Sequence, residues 1–370
     1  MIRLIVIFII IILAVLFSSD SIKGNYDKKK ARYIFVVTIL LILQSGLRNW
    51  AVGADTYQYY LIFESVKLDS WTEIINSLYA FEEKDPFYNL FQKVFQVFTD
   101  DFQWYLLFVA AIFMPALGYF IHKNTTRINQ VLLAYVIYMG NFYGFFSITG
   151  IRQTLATAIL FWSYKYIVER KIIYFLLFVF IASLFHISAF VFLPLYFISE
   201  FKKPKLLFRF AILGFPLFLV FKNQIAVFLV SFVEAEERFS VYTEQYETGG
   251  SIVLTALHVF LAVWAILVYK KMMTIAPSTF RMYNMFALAL FFFPLQWVNP
   301  SAGRIAQYFT VIIMVWIPYL IDASSTNSSK TRELFYFIAL IALIAVTLFA
   351  ITPGEYSYFW EKMDLPDNYK

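Results

Sequence analysis

Eleven stretches of this chain are apolar enough to sit in a bilayer, and that property more than any other limits what it can fold into. The runs lie near 2–17, 33–47, 102–121, 130–148, 152–168, 172–198, 206–221, 251–269, 282–298, 304–321 and 333–351. Most are long enough to cross a hydrocarbon core of about 30 Å as helices, some only with local thinning or help from flanking residues. Only 15% of the residues are charged, against about 25% in a soluble domain. The expectation is an all-α, polytopic integral membrane protein, one membrane domain over 1–370 with no soluble domain of any size.

The charges orient the chain. The run 172–198 is too long for one span and is flanked on both sides by cations, Arg170 and Lys171 before it and Lys202, Lys203 and Lys205 after it. A turn at Phe185-His186, making two short arms of a broken helix, removes that conflict, and such breaks occur where they line a cavity. With that turn, nineteen of the 30 Lys and Arg but only six of the 24 Asp and Glu fall on inner loops, the positive-inside pattern. The formal charge of +6 is thus an orientation signal and not a nucleic-acid footprint. About twelve crossings follow, with both termini outside. The segment Ile2–Phe17 reads as a retained first helix, because its cations follow it where a secretory signal would have them precede.

Two outer segments are too long to be plain turns. Residues 49–101 interleave acids with Trp50, Tyr57, Tyr59, Tyr60, Trp71 and Tyr79, and the stretch 87–98 repeats its apolar residues at helical spacing. Residues 222–250 carry Glu234, Glu236, Glu237, Glu244 and Glu247 and end at Gly249-Gly250, a second amphipathic flap. The inner loops are short, so the chemistry is expected outside.

Several reaction classes are excluded or unsupported. The absence of cysteine rules out disulfides, zinc-thiolate sites and iron–sulfur clusters, and three scattered histidines give no metal-ligand spacing. No phosphate-binding loop, dinucleotide fingerprint or nucleophile elbow is present. No cofactor and no metal are expected.

What remains are ionisable groups at the ends of apolar spans, which are costly there and usually functional. Arg48, Arg152 and Arg304 all fall on the outer face of this topology, and three cations on one face suit a polyanionic headgroup such as a lipid diphosphate. Arg48 follows the second span; Gly53 lets the backbone turn, and Asp55 is placed to cap a helix from Thr56. One reading makes Arg48 an interfacial anchor and Asp55 a cap; the other makes Arg48 a phosphate ligand and Asp55 its partner or a general base. Arg152, with Gln153, opens the fifth span, where the helix dipole disfavours a cation but favours an anion bound beside it. His186, with Ser188 two residues on, is either a satisfied packing group or an acid/base group at the break. Arg304 enters another helix, with Tyr308 one turn further on the same face. Gly140-Asn141-Phe-Tyr-Gly144 reads as a softened helix.

The order and spacing of these motifs resemble the EpsG family, membrane proteins of exopolysaccharide gene clusters akin to Wzy-type polysaccharide polymerases. The resemblance covers nearly the whole chain. It rests on Arg48 with Val52-Gly53-Ala-Asp55-Thr56 and Tyr59, on Asp85-Pro86-Phe87, on Ile151-Arg152-Gln153 with Leu155-Ala156, on Phe185-His186-Ile-Ser188-Ala189, and on Arg304 with Tyr308. It implies a GT-C-like helical glycosyltransferase of a bacterial cytoplasmic membrane, with its site facing outward. Such an enzyme joins oligosaccharide repeat units carried on undecaprenyl diphosphate, and a chain-length-setting protein is a further partner the resemblance allows. On this reading Arg48, Arg152, Gln153, Arg304 and Tyr308 bind substrate, with Arg152 also acting on the leaving group. His186 is the favoured base, and Asp55 its orienting group or the partner of Arg48. The alternative is a flippase for the same lipid-linked sugars, which would call for internal repeats and a path to the inner side.

Overall fold

The computed structural model describes residues 2–19, 25–80, 85–222, 224, 251–298, 300–325, 328–350 and 356–362. Among these the regular structure is helical, and the one β-bridge pairs Arg48 with Tyr358. The chain divides into two compact units, residues 1–190 with 333–370, and residues 191–332.

In the first unit, α1 (Ile2–Ser18), α2 (Tyr26–Gly46), α6 (Phe102–Lys123), α7 (Ile128–Ile137), α8 (Ile151–Val168) and α9 (Ile172–Phe185) form the bundle. Asn25 starts α2 by accepting the Lys28 amide at 3.0 Å, and Asp101 starts α6 by accepting that of Gln103 at 2.7 Å. Helix α6 packs between α2 and α8, α9 lies on α8, and α1 rests against α2 and α7. The α2–α6 contact needs a glycine, because a Cβ on Gly46 would stand 2.7 Å from the Leu107 Cα. Large apolar side chains such as Phe8 and Val15 on α1 and Phe337 and Ile341 on α16 (Ser329–Ala350) remain exposed, as lipid-facing surfaces do.

The softened segment near Gly140 is a π-helix in two parts, Tyr138–Phe142 and Gly144–Thr149, which carries α7 up to the start of α8. Three further helices fill the 49–101 segment: α3 (Thr56–Leu68), α4 (Trp71–Ala80) and α5 (Pro86–Gln96). The expected helix from Thr56 is present, and Gly53 turns the backbone at φ +99°. The expected amphipathic helix within 87–98 is α5, which packs on α3, α4 and α9.

The second unit holds α10 (Pro194–Ile198), α11 (Pro204–Val220), α12 (Ile252–Ile275), α13 (Phe280–Phe292), α14 (Pro300–Thr310) and α15 (Ile313–Ser324). Two of its polar side chains are tied locally: Asn284 Nδ2 donates to the carbonyls of Ser199 and Phe201, and Arg281 Nε donates to Glu200 at 2.7 Å. The flap expected over 222–250 lies outside the described residues apart from Lys222 and Gln224.

Two apolar runs are not single rods. The run 304–321 bends by 50° between α14 and α15, where Ile312 and Met314 bond back only three residues and the β-branched Thr310-Val311-Ile312-Ile313 crowds the turn. The run 172–198 breaks after Phe185, as its flanking charges require, and continues as a 3₁₀ turn, Ile187–Phe192, and then α10. Among the described residues, α6, α12 and residues 329–348 of α16 are each long and apolar enough to cross a membrane alone, and the bent pair qualifies together. Shorter apolar helices, α1, α7 with its π extension, α9 and the stretch after the break, supply the rest of the apolar surface.

Candidate functional site

The break in the long apolar run exposes backbone that a continuous helix would have satisfied. His186 is extended, at φ −156° and ψ 112°, and the following amide, Ile187 N–H, has no carbonyl of its own helix to bond. The group that takes it is the Asp85 carboxylate, whose Oδ1 accepts at 3.1 Å. The other oxygen of Asp85, Oδ2, accepts from Arg152 Nη1 at 3.0 Å and lies 3.3 Å from His186 Nδ1. One carboxylate therefore joins the start of α5, the first turn of α8 and the tip of the broken helix.

Local sequence explains how Asp85 comes to be there. It precedes Pro86 at the start of α5, the usual place for an N-cap, yet its side chain makes no hydrogen bond to its own helix. Proline in the first turn lowers the number of amides needing a cap, which leaves the carboxylate available. The apolar face of α5 then anchors it: Phe87 and Phe91 each meet Phe185, the last residue of α9, with ring centroids 5.2 Å apart.

Arg152 is held by more than charge. Its guanidinium lies 4.9 Å from the Tyr88 ring and 5.7 Å from the Tyr59 ring, a cation–π clamp in a half-buried setting. Its Nε has no hydrogen-bond partner, so Asp85 satisfies only part of its fork. The side chains of Arg152 and His186 keep 21% and 20% exposure while that of Asp85 keeps 1%, so the first two are partly accessible and the carboxylate lies behind them. Burial alone opposes an ionised Asp85, but the hydrogen bond and charge of His186, followed by those of Arg152, outweigh it and hold the carboxyl below its ordinary value.

The arrangement has a chemical consequence. A histidine whose Nδ1–H points at a carboxylate presents its other nitrogen as an acceptor, the tautomer a general base needs. Beside it stands a cation at the N-terminus of an 18-residue helix, α8, where a bound anion is favoured by the dipole, the amides and the guanidinium together. Above α2, Trp50 stacks on Tyr57 and Tyr60 with centroids 5.5 and 4.9 Å apart, a ring surface of the kind that sugar faces rest on.

The other residues singled out in the sequence are distributed differently. Asp55 is the N-cap residue of α3 without a capping side-chain bond, and the carboxylate on His186 is that of Asp85. Arg48 is buried at the end of α2, where its Nη1 donates to the Ser45 carbonyl at 2.6 Å, and no carboxylate among the described residues pairs with it. Gln153 is buried on α8 beside Arg152. Arg304 and Tyr308 lie on α14 of the second unit, Arg304 half-buried and Tyr308 buried. Among the described residues, no three His, Asp or Glu gather as a metal-holding group.

Sequence reasoning read Asp85 as one acid among the many of the outer loop and, in the family spacing, as part of a short motif. The signal that distinguishes it is the Asp-Pro pair opening an amphipathic helix. Tyr59 belonged to the family motif that follows Arg48, but nothing in the sequence tied it or Tyr88 to Arg152.

No curated protein and no solved structure matches the chain. One family model does, that of the EpsG family, over residues 31–360.

Proposed function

The chain belongs to the EpsG family, and from that premise we propose that this membrane protein of exopolysaccharide biosynthesis is the polymerase itself. In this reading it transfers an oligosaccharide from an undecaprenyl-diphosphate carrier to the hydroxyl of an acceptor unit, on the outer face of a bacterial cytoplasmic membrane. The observation that carries it is the Asp85 carboxylate shared between His186 and Arg152.

Each group then has a task. The acceptor hydroxyl gives its proton to His186 Nε2 as its oxygen bonds to the anomeric carbon. The bond from that carbon to the phosphate oxygen breaks, and the diphosphate leaves with the electron pair. Asp85 is a positioning residue that holds the imidazole tautomer and steadies the imidazolium that forms. Arg152 and the first turn of α8 meet the leaving diphosphate, and they help the rate to the extent that they favour charge developing there. Removing one such donor costs about 3 kcal/mol, or about 100-fold in rate. The Trp50–Tyr57–Tyr60 stack is assigned to sugar faces. Arg304 and Tyr308 are proposed as donor-binding residues on the sequence argument alone. The asymmetry of loop charges supports the outward orientation.

The test is reconstitution in liposomes with a synthetic undecaprenyl-diphosphate repeat unit, the products being resolved on a gel. A ladder of oligomers made by the natural protein and lost in Arg152→Ala and His186→Ala is the expected result. No ladder, but movement of the lipid-linked unit between leaflets, would make the protein a flippase and end the polymerase reading.

A further inference from the structure

A second polar cluster lies inside the first unit around Arg48, a cation that the Asp85 arrangement does not use, although it shares Tyr88 and the start of α8 with it. Arg48 is 3% exposed and its Nε has no hydrogen-bond partner. The ionisable groups around it are the phenols of Tyr143, Tyr356, Tyr138 and Tyr88, which bring no negative charge at neutral pH. A second cation closes on the same place: the Arg3 guanidinium lies 5.2 Å from the Tyr143 ring, and the Tyr143 hydroxyl accepts from the Gln44 amide. A buried guanidinium without a counter-charge is among the costliest arrangements a protein can hold.

The surroundings are built to accept an anion. Arg48 lines a cavity with Ser45, Ser147, Gly150, Ile151 and Thr154, closed by apolar side chains of α6. The start of α8 (Gly150, Ile151 and Thr154) lines it beside Arg48, and no side chain caps that helix, so the positive end of its dipole lies at this cavity. The cavity volume is about 10 Å³, room for one water, and a halide ion, somewhat larger than water, fits once the walls give slightly. A phosphate group, with five heavy atoms, exceeds it.

We propose that this cavity is a binding site for a small monovalent anion of the chloride class, held by Arg48 and the N-terminus of α8. The anion neutralises Arg48 and ties the end of α2 to the start of α8. Arg152 is the second residue of that helix, so the ion also fixes the backbone from which Arg152 reaches Asp85. That last link rests on the polymerase reading, whereas the anion site does not.

The experiment uses the full-length protein in detergent and needs no activity. Thermal unfolding is measured in sodium chloride, bromide, gluconate and pyrophosphate at matched ionic strength, with chloride-35 line broadening on the natural protein as an independent readout. Chloride and bromide are expected to raise Tm saturably over gluconate, Arg48→Gln to abolish that rise, and Arg152→Ala to keep it. Line broadening should be competed by bromide, which keeps the proposal testable even where Arg48→Gln does not fold. Equal stability in chloride and gluconate without line broadening would assign the cavity to water and overturn the proposal. Stabilisation by pyrophosphate alone would return Arg48 to the lipid diphosphate. Absence of polymer formation by the natural protein, with the chloride effect intact, would count against the polymerase reading and not against this site.

Discussion

Asp85 and His186 stand 101 residues apart in the chain, and their side chains meet at 3.3 Å. The same carboxylate bonds Arg152 and the Ile187 amide, so a single side chain repairs a broken helix and holds the two partly exposed groups. In the proposed reading, structural repair and catalytic positioning are one arrangement, and several variants separate the two.

Asp85→Asn keeps the size of the side chain but replaces an acceptor-only group by one that also donates. The His186 tautomer is then no longer fixed, and the rate of oligomer formation should fall about 10⁴-fold, as it does when other histidine-orienting carboxylates are changed to amides. His186→Ala should lose a similar amount, and the double variant should be no worse than the poorer single one, because groups acting as a unit are not additive. Independent, multiplying losses in the liposome assay would dissolve the pairing.

The Asp85 carboxyl is held below its ordinary value, which fixes the sign of a pH effect. A depressed carboxylate contributes stability that is complete above the unfolded pKa, about 4, and is lost as pH falls through the folded value. The natural protein should therefore exceed Asp85→Asn in Tm at neutral pH, and the gap should close below about pH 4. A gap that stayed constant on acidification, followed by thermal unfolding across pH, would show that Asp85 is not ionised in the fold.

Arg152→Lys preserves charge and removes the planar fork that lies over Tyr59 and Tyr88 while bonding Asp85. The two side chains are not equivalent at such a position, and a loss of about tenfold or more in kcat/KM is expected. Arg152→Ala should cost about 100-fold or more and should also destabilise, since it removes a partner from a buried carboxylate. Initial rates and Tm, measured together, separate the two contributions.

Gly53→Ala tests the turn that leads from α2 to α3. The backbone there is at φ +99°, and a Cβ would come within 2.8 Å of both Ile148 Cγ2 and Thr56 Oγ1. The substitution should cost about 1–3 kcal/mol, read as a lower Tm. It should also loosen Thr56, whose hydroxyl donates to the Ile148 carbonyl at 2.7 Å just before α8 begins. An unchanged Tm would mean the turn relaxes without strain.

What the sequence determined on its own was whatever depends on local pattern. Apolar runs with few charges became helices, the conflicting cations around 172–198 located a break at His186, and the Gly53 turn before Thr56 became the start of α3. These are legible because hydrogen bonding within a helix and the transfer of apolar surface from water act residue by residue. The 50° bend near Val311 was not, since apolar composition is the same on both sides of it. Nor was the choice of carboxylate: Asp55 and Asp85 each precede a helix, and the Pro86 that marks Asp85 does not say which group it reaches. Tertiary packing decided that, when Phe87 and Phe91 set α5 against Phe185 and brought Asp85 to the unsatisfied Ile187 amide. A hydrogen-bond donor exposed by a break must find an acceptor wherever the fold provides one, and only the folded chain specifies where that is.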